Sequence, residues 1–222
     1  MSAAEIPLDF HHRDDAGVAA RAAEFRAMMV TRRTVRHFCD RPVPRAVIED
    51  AIRVAGSAPS GANKQPWHFC VIASAEAKRK VRLAAEAEER AFYEGRAPKD
   101  WLDDLAPLGT DASKPFLETA PVLIAVFAER HGEGADGART KNYYVPESVG
   151  IAMGFLIAAL HYAGLATLTH TPSPMAFLTE LCGRPARESP KVLLVAGYPA
   201  PDATVPVAAT HKKPLAQICD WR

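Results

Sequence analysis

Three arginines, Arg32, Arg33 and Arg36, fall in the short stretch Arg32-Arg33-Thr34-Val35-Arg36. Guanidinium groups keep their charge and present forked donors, which suits phosphate. If the chain turns helically there, Arg33 and Arg36 share a face. The same residues would also serve as a solvated basic helix end that suits the helix macrodipole. A second stretch, Ala58-Pro59-Ser60-Gly61-Ala62-Asn63-Lys64-Gln65-Pro66-Trp67, combines prolines, a glycine and small residues. It reads as a fixed loop: a rigid connection, or a place where a flat aromatic ligand reaches the backbone over Ser60, Gly61 and Ala62. A third set is Glu89, Tyr93 and Lys114. Glu89 and Tyr93 are four apart and share a helical face, and Lys114 could fold over that face. Alternatively, Glu89 belongs to an acidic surface run with Glu86 and Glu88, and Lys114 to a surface loop.

Other combinations carry less. His11, His12, Asp14 and Asp15 are metal-ligand types, but adjacent histidines on a loose arm are more often solvated. Asp103 and Asp104 read as carboxylates that keep a loop wet. There is no Walker loop, so an NTPase is not indicated, and no Rossmann dinucleotide site is read from the chain.

The elements that must position these residues follow from periodicity and punctuation. Residues 1–15 look like a loose arm, and 18–29 form an alanine-rich helix. Pro44 occupies a first helical position, and the helix over 45–55 presents Val47, Ile48, Ala51, Ile52 and Ala55 on one face. The fixed loop leads into a strand over 68–73. Ser74 caps a long charged helix from 75 to about 93. Residues 95–114 break up, with Pro98, Pro107, Gly109 and many charges, as a lid or a disordered segment does.

Residues 122–127 are a buried strand, and 131–141 a glycine-rich loop. The helix over 146–163 is apolar on every side, so it lies in a core or under another subunit. Strands follow over 166–171 and 192–196, around a short helix over 175–182 closed by Gly183. The tail, 199–222, is apolar enough to pack along a surface. Strands that do not alternate strictly with helices favour an α+β fold with a central mixed sheet flanked by helices.

The 222 residues carry a formal net charge of +1, with 48% hydrophobic and 24% charged residues. One core and one domain, 1–222, are expected, with no reason to look for nucleic acid or an anionic membrane as partner. Cys39, Cys70, Cys182 and Cys219 form no CxxC pair, which fits reduced thiols in a cytoplasm. From Ser148 to Thr169 there is no Asp, Glu, Lys or Arg, close to the length of a membrane span. Its glycines, His161 and Tyr162 instead favour a buried helix ending near Gly164. The first residues lack a signal peptide's basic start and apolar core.

RRTVRHF, a proline-started helix and APSGANKQPWHFCVI together resemble the opening of the FMN-dependent nitroreductase superfamily. EERAFYEG, a lysine shortly before ETAPVLIAVF, NYYVPESVGIAMGFLIAALHYAGLATLTHTP and GYPAPDATVPVAATHKKPLAQI are similar to its iodotyrosine deiodinase branch. The likeness runs from about Arg32 to Ile218. It implies a nitroreductase-like intertwined homodimer with a C-terminal arm, 199–222, and an active-site lid, 95–114. It also implies reductive dehalogenation of iodo-, bromo- or chlorotyrosine through one-electron steps. The alternative is an NAD(P)H-dependent nitroreductase or quinone reductase.

By the same resemblance, Arg32, Arg33, Thr34, Arg36, Ser60, Gly61, Thr169, His170, Thr171 and Lys212 bind FMN. Thr171 is the catalytic residue, donating to flavin N5 and stabilising a semiquinone. Glu89, Tyr93 and Lys114 hold the zwitterion of the substrate, and the Ala62 backbone N–H holds its phenolate. Lys212 stands where the family has a phosphate-binding arginine, with Lys213 close enough to exchange roles. His170 replaces a more usual threonine, and SPMAFLTELCG also departs from the family pattern. The family's animal members carry a membrane anchor ahead of the domain, so the expectation here is a soluble cytoplasmic form.

Overall fold

The computed structural model describes residues 4–222. The chain divides into two compact units, Met1–Arg32 and Arg33–Arg222. In the first unit, residues 4–14 carry no regular element and α1 spans Asp15–Met29. Its start is set by Asp14, whose Oδ1 accepts the Gly17 N–H at 2.8 Å and so satisfies one of the helix's open donors. α1 buries none of its residues, and Val18 and Phe25 stand exposed on it. The part of the expected 1–15 arm that falls on residues 1–3 lies outside the described residues.

In the second unit α2 spans Arg45–Gly56 and buries Ile48, Ala51 and Ala55. Pro44 is its N-cap rather than its first residue, because a ψ of 133° keeps it extended. β1 (Trp67–Ile72) follows the fixed loop, and α3 (Ala75–Ala91) starts at Ser74, whose hydroxyl accepts the Ala77 N–H at 3.2 Å. α3 widens into a π turn, Phe92–Arg96, and then comes α4, Lys99–Leu105. The stretch expected to be irregular is thus half helical. Phe92 and Trp101 hold α4 in place, edge to face with ring centroids 5.1 Å apart, a contact no local pattern announces.

α5 (Phe116–Thr119), β2 (Val122–Glu129), β3 (His131–Glu133) and β4 (Arg139–Lys141) come next. β3 and β4 pair as a small hairpin where the sequence suggests only loop. Its register from His131↔Lys141 to Glu133↔Arg139 is too short to leave a periodic signal. α6 (Val145–Tyr162), β5 (Ala166–His170), α7 (Phe177–Leu181) and β6 (Glu188–Gly197) complete the regular elements. Beyond them, 3₁₀ turns at Val207–Thr210 and Leu215–Gln217 punctuate a largely exposed tail.

The main sheet runs β1-β2-β6-β5, and each neighbouring pair is antiparallel. This corrects the expected mixed sheet. Ile72, the end of β1, lies beside Leu123 near the start of β2, so the long excursion through α3, α4 and α5 returns at the end of the sheet it left. A parallel crossover must return at the opposite end. Among the described residues, parallel pairing enters only as an isolated bridge between Thr34 and Thr167.

Strand alternation divides the core. Leu123, Ala125 and Phe127 of β2 pack with Val81, Ala85, Leu117 and Leu178 on the α3 side. Val122 and Ile124 pack with Ile48, Ala55, Leu156 and Leu160 on the α2–α6 side. Both faces of β2 are therefore covered, which is why its sequence is a continuous apolar run. α6 is the helix, among the described residues, long and apolar enough by composition to cross a membrane. Here Val149, Ala152, Leu156 and Leu160 form its buried stripe, while Ile151, Phe155 and Tyr162 remain exposed.

Candidate active site

Glu89 lies near the C-terminal end of α3, and the π turn carries Tyr93 onto the same side of the chain. Lys114 comes from just before α5 and is buried, 3% exposed. Its Nζ lies 3.4 Å from Glu89 Oε2 and 5.8 Å from the centre of the Tyr93 ring. The ammonium also donates to Thr110 Oγ1 at 3.1 Å and to the Asp111 carbonyl. Tyr93 donates its hydroxyl to the Thr110 carbonyl at 3.1 Å, and burial raises its phenol pKa above the usual value. The Lys114 backbone N–H donates to Glu86 Oε1 at 2.8 Å, so the lysine is fixed at both ends.

β5 supplies the other wall. Leu168 packs in the α3-side core, and His170, two residues on, faces the same way. His170 is 6% exposed, edge-on to Phe116 with centroids 6.0 Å apart, and its Nδ1 lies 3.9 Å from Glu89 Oε1. Its Nε2 is buried without a hydrogen bond among the described residues. Burial, reinforced by the cations Lys114 and Arg36, lowers its pKa from 6.5 to about 3, so the ring is neutral. Thr169 faces away from it and is exposed, as is Thr171 just past the strand.

Arg33, Thr34 and Arg36 belong to a segment laid along the free edge of β5, where the Val35 N–H donates to the Thr167 carbonyl at 3.1 Å. Arg36 lies close enough to help lower the pKa of His170 and to oppose the burial that raises that of Tyr93. The segment is extended, so the helical face imagined for Arg33 and Arg36 does not form. Arg32 ends the first unit.

The fixed loop is anchored elsewhere. Gly61 bridges to Tyr143, and its N–H reaches Ser148 Oγ at 3.4 Å. A Cβ on Gly61 would come within 2.6 Å of the Tyr143 carbonyl oxygen, so glycine is required by this backbone approach. Ser60 Oγ accepts the Gln65 N–H at 2.9 Å. Ala62 and Asn63 both adopt left-handed conformations, φ 51° and 52°, and Tyr144 opposite has φ 49°. Such conformations cost non-glycine residues about 1 kcal/mol or more each and concentrate at functional sites.

The chain thus brings together Glu89, Tyr93, Lys114, His170 and Arg36. Among the described residues, the contacts of Ser60 and Gly61 run within the loop and to Tyr143 and Ser148, not to that cluster. Lys212 and Lys213 stand exposed on the tail, Lys212 donating to the Ala209 carbonyl at 3.4 Å. Sequence reasoning missed Thr110 and Asp111, which hold the ammonium, and treated Glu86 as a surface carboxylate. Glu86 is in fact buried, bound to Arg82 at 2.9 Å as well as to the Lys114 backbone. Its place on the apolar side of α3, one residue from Ala85, was the available signal.

The nitroreductase family model matches residues 29–198. An iodotyrosine deiodinase of Haliscomenobacter hydrossis is 54% identical over 187 residues, 84% of each chain. Human iodotyrosine deiodinase 1 is 42% identical over 214 residues, 96% of this chain and 73% of the human one. A crystal structure of oxidized iodotyrosine deiodinase bound to FMN and 3-iodo-L-tyrosine superposes with a TM-score of 0.69 at 32% identity, over 80% of this chain and 90% of that one. On this coverage and identity, the chain belongs to the nitroreductase family, in its iodotyrosine deiodinase branch.

Proposed function

We propose that this protein is an FMN-dependent oxidoreductase that reductively removes iodide, bromide or chloride from halogenated tyrosines. The observation that carries the reading is the buried Glu89–Lys114 ion pair with Tyr93 beside it. Holding two opposite charges out of water is costly unless each has a partner. A free amino acid brings an ammonium and a carboxylate, so each protein charge exchanges one partner for another and none is stranded. Glu89 takes the ammonium, Lys114 the carboxylate, and Tyr93 gives a further hydrogen bond. The Ala62 N–H takes the phenolate, a role its strained, exposed backbone suits.

The donor set fits FMN. Arg33 and Arg36 bracket Thr34 beside β5 and are suited to phosphate and to the flavin's pyrimidine edge. Arg32 joins them on its sequence position alone. Ser60, Gly61, Thr169, His170 and Thr171 line the ring system, and Lys212 offers a charge for the phosphate. His170 contributes through its backbone, since its ring faces α3. When bound, FMN supplies the two electrons, in single steps, that replace a carbon–halogen bond by a carbon–hydrogen bond and release halide. Thr171 holds a hydroxyl proton toward the flavin, and the lid, 95–114, keeps water from the ring of the substrate.

The working unit is a homodimer with the C-terminal arm, 199–222, wrapped on its partner. What supports this is apolar surface that one copy leaves open: Val18 and Phe25 on α1, Ile151, Phe155 and Tyr162 on α6, and Leu215, Ile218 and Trp221 in the tail. Residues 1–222 act as one FMN-binding domain, and four unpaired thiols suit a reducing cytoplasm. The test is to reduce the FMN-loaded protein without oxygen, add 3-iodotyrosine and measure free iodide. Iodide matching the tyrosine formed is expected. Reduction of nitroaromatics with no iodide released would replace this reading by a generic flavin reductase.

A further inference from the structure

Lys78, Arg82, Glu86 and Glu89 follow one another on α3 at helical spacing, and the first three reach across to the segment 114–120. Lys78, 8% exposed, donates its ammonium to the Glu118 and Ala120 carbonyls at 2.7 Å each. Arg82 donates from Nε to Glu118 Oε1 at 2.5 Å and from Nη1 to Glu86 Oε2 at 2.9 Å. Glu86, itself buried, uses its other oxygen, Oε1, to accept the Lys114 N–H at 2.8 Å. The Lys114 carbonyl accepts the Leu117 N–H at 3.0 Å, and Leu117 is fully buried.

Both oxygens of Glu86 are thus committed inside the protein, one to a guanidinium that balances its charge and one to the backbone of Lys114. A buried carboxylate is tolerated only when paired and hydrogen-bonded in this way. An apolar side chain would fill the same space without the desolvation cost, but it could not hold the Lys114 N–H. Of the contacts made by the lysine's ammonium, Glu89 is the one a zwitterion takes over, and Thr110 and Asp111 lie within the lid. The bond from Glu86 is the contact to α3 that binding leaves in place.

We propose that Glu86, backed by Arg82 and Glu118, is the positioning residue that sets the separation of Glu89 and Lys114, and with it the preference for an α-amino acid over a bare phenol. Glu86 and Glu89 stand three apart on one helix, which serves as a ruler. Glu89 faces the ammonium of the substrate, and Glu86 fixes where the lysine for its carboxylate begins. Glu86 touches neither substrate nor flavin and acts through the Lys114 backbone. The identity of the ligand rests on the function proposed above, whereas the anchoring of Lys114 stands on the hydrogen bonds alone.

The experiment compares FMN-loaded parent, Glu86→Gln, Lys114→Ala and the double variant. Glutamine keeps the volume but has one acceptor oxygen, so it serves Lys114 or Arg82, not both. Amine acetylation mapped by peptide is expected to find Lys114 and Lys78 protected in the parent, and Lys114 alone labelled severalfold faster in Glu86→Gln. Equal exposure of Lys78 would make Glu86 a general stabiliser and overturn the proposal, as would unchanged protection of Lys114. Flavin-fluorescence titration should show 3-iodotyrosine bound about tenfold more weakly by Glu86→Gln and 2-iodophenol bound as by the parent. Iodide release should register the loss in KM rather than kcat. In the Lys114→Ala background the effect of Glu86→Gln should shrink below about twofold, since nothing is left to place. A full tenfold effect there overturns the proposal. Glu76→Gln, at an exposed position of the same helix, is the control and should match the parent. Where Glu86→Gln fails to fold, Glu118→Gln, which removes the other support of Arg82, carries the same comparison with a smaller shift. A parent that binds no 3-iodotyrosine removes the halotyrosine reading, and acetylation then decides the anchor by itself.

Discussion

Lys114 Nζ lies 3.4 Å from Glu89 Oε2, although the two residues belong to different elements and both side chains are mostly withdrawn from solvent. The pair is a closed circuit of opposite charges that a zwitterion can open without leaving either charge alone. Lys114→Ala is expected to weaken 3-iodotyrosine binding by about 10²-fold, the loss of a charge-assisted hydrogen bond plus an unpaired Glu89. FMN loading should not change, because the lysine's own partners are Thr110, Asp111 and Glu89. Quenching of flavin fluorescence by the amino acid reads both. Parent-like affinity in the variant would end the clamp.

Thr171 is exposed at the end of β5, where its hydroxyl has no structural duty in the core. Thr171→Ala should lower iodide release by about tenfold, the value of one hydrogen bond made in the reaction. Nitroaromatic reduction should fall less. The ratio of the two rates, measured on one preparation, checks this.

His170 gives a pH signature. The unfolded imidazole takes a proton near pH 6.5, while the folded one resists to about pH 3 because of burial and then the cations Lys114 and Arg36. Stability is therefore whole above pH 6.5 and lost progressively as pH falls toward 3, by up to about 5 kcal/mol. His170→Thr should flatten that decline. Thermal melts of parent and variant at neutral and acid pH make the comparison, and equal slopes would contradict it.

Gly61 has no room for a side chain: an added Cβ would come within 2.6 Å of the Tyr143 oxygen and 2.9 Å of its Cβ. Gly61→Ala should destabilise by roughly 1–3 kcal/mol, as overpacking does. At Gly56, the end of α2, nothing lies within 4 Å, so Gly56→Ala should be neutral or stabilising by up to about 1 kcal/mol. Denaturant midpoints separate the two. Equal effects would mean that the Tyr143 approach is not rigid.

Phe155 is 40% exposed on α6, at the margin of its buried stripe. If that surface is covered by a second copy, Phe155→Glu buries a charge in the interface. Sedimentation should then show monomer, with weakened FMN binding, where the parent is dimeric.

Much of the fold is legible in the sequence. The ends of α3 and α7 follow from Ser74 and Gly183, and the buried stripe of α2 from its apolar spacing, because caps and periodicity depend on residues a few positions apart. α4 escaped, since a helix of seven residues held by one aromatic contact to Phe92 has too few turns to show a period. The sheet's antiparallel pairing escaped too, because strand direction depends on where a long connection re-enters.

The site divides in the same way. Spacing alone put Glu89 and Tyr93 on one helical face, and composition alone marked the loop around Gly61 as fixed. Only the folded chain decided that Lys114 turns back to meet Glu89, and that His170 rather than Thr169 faces α3. The first kind of fact is written in short-range backbone geometry, which the sequence carries in full. The second depends on which distant segments the sheet sets side by side, and that arises only when the whole core has packed.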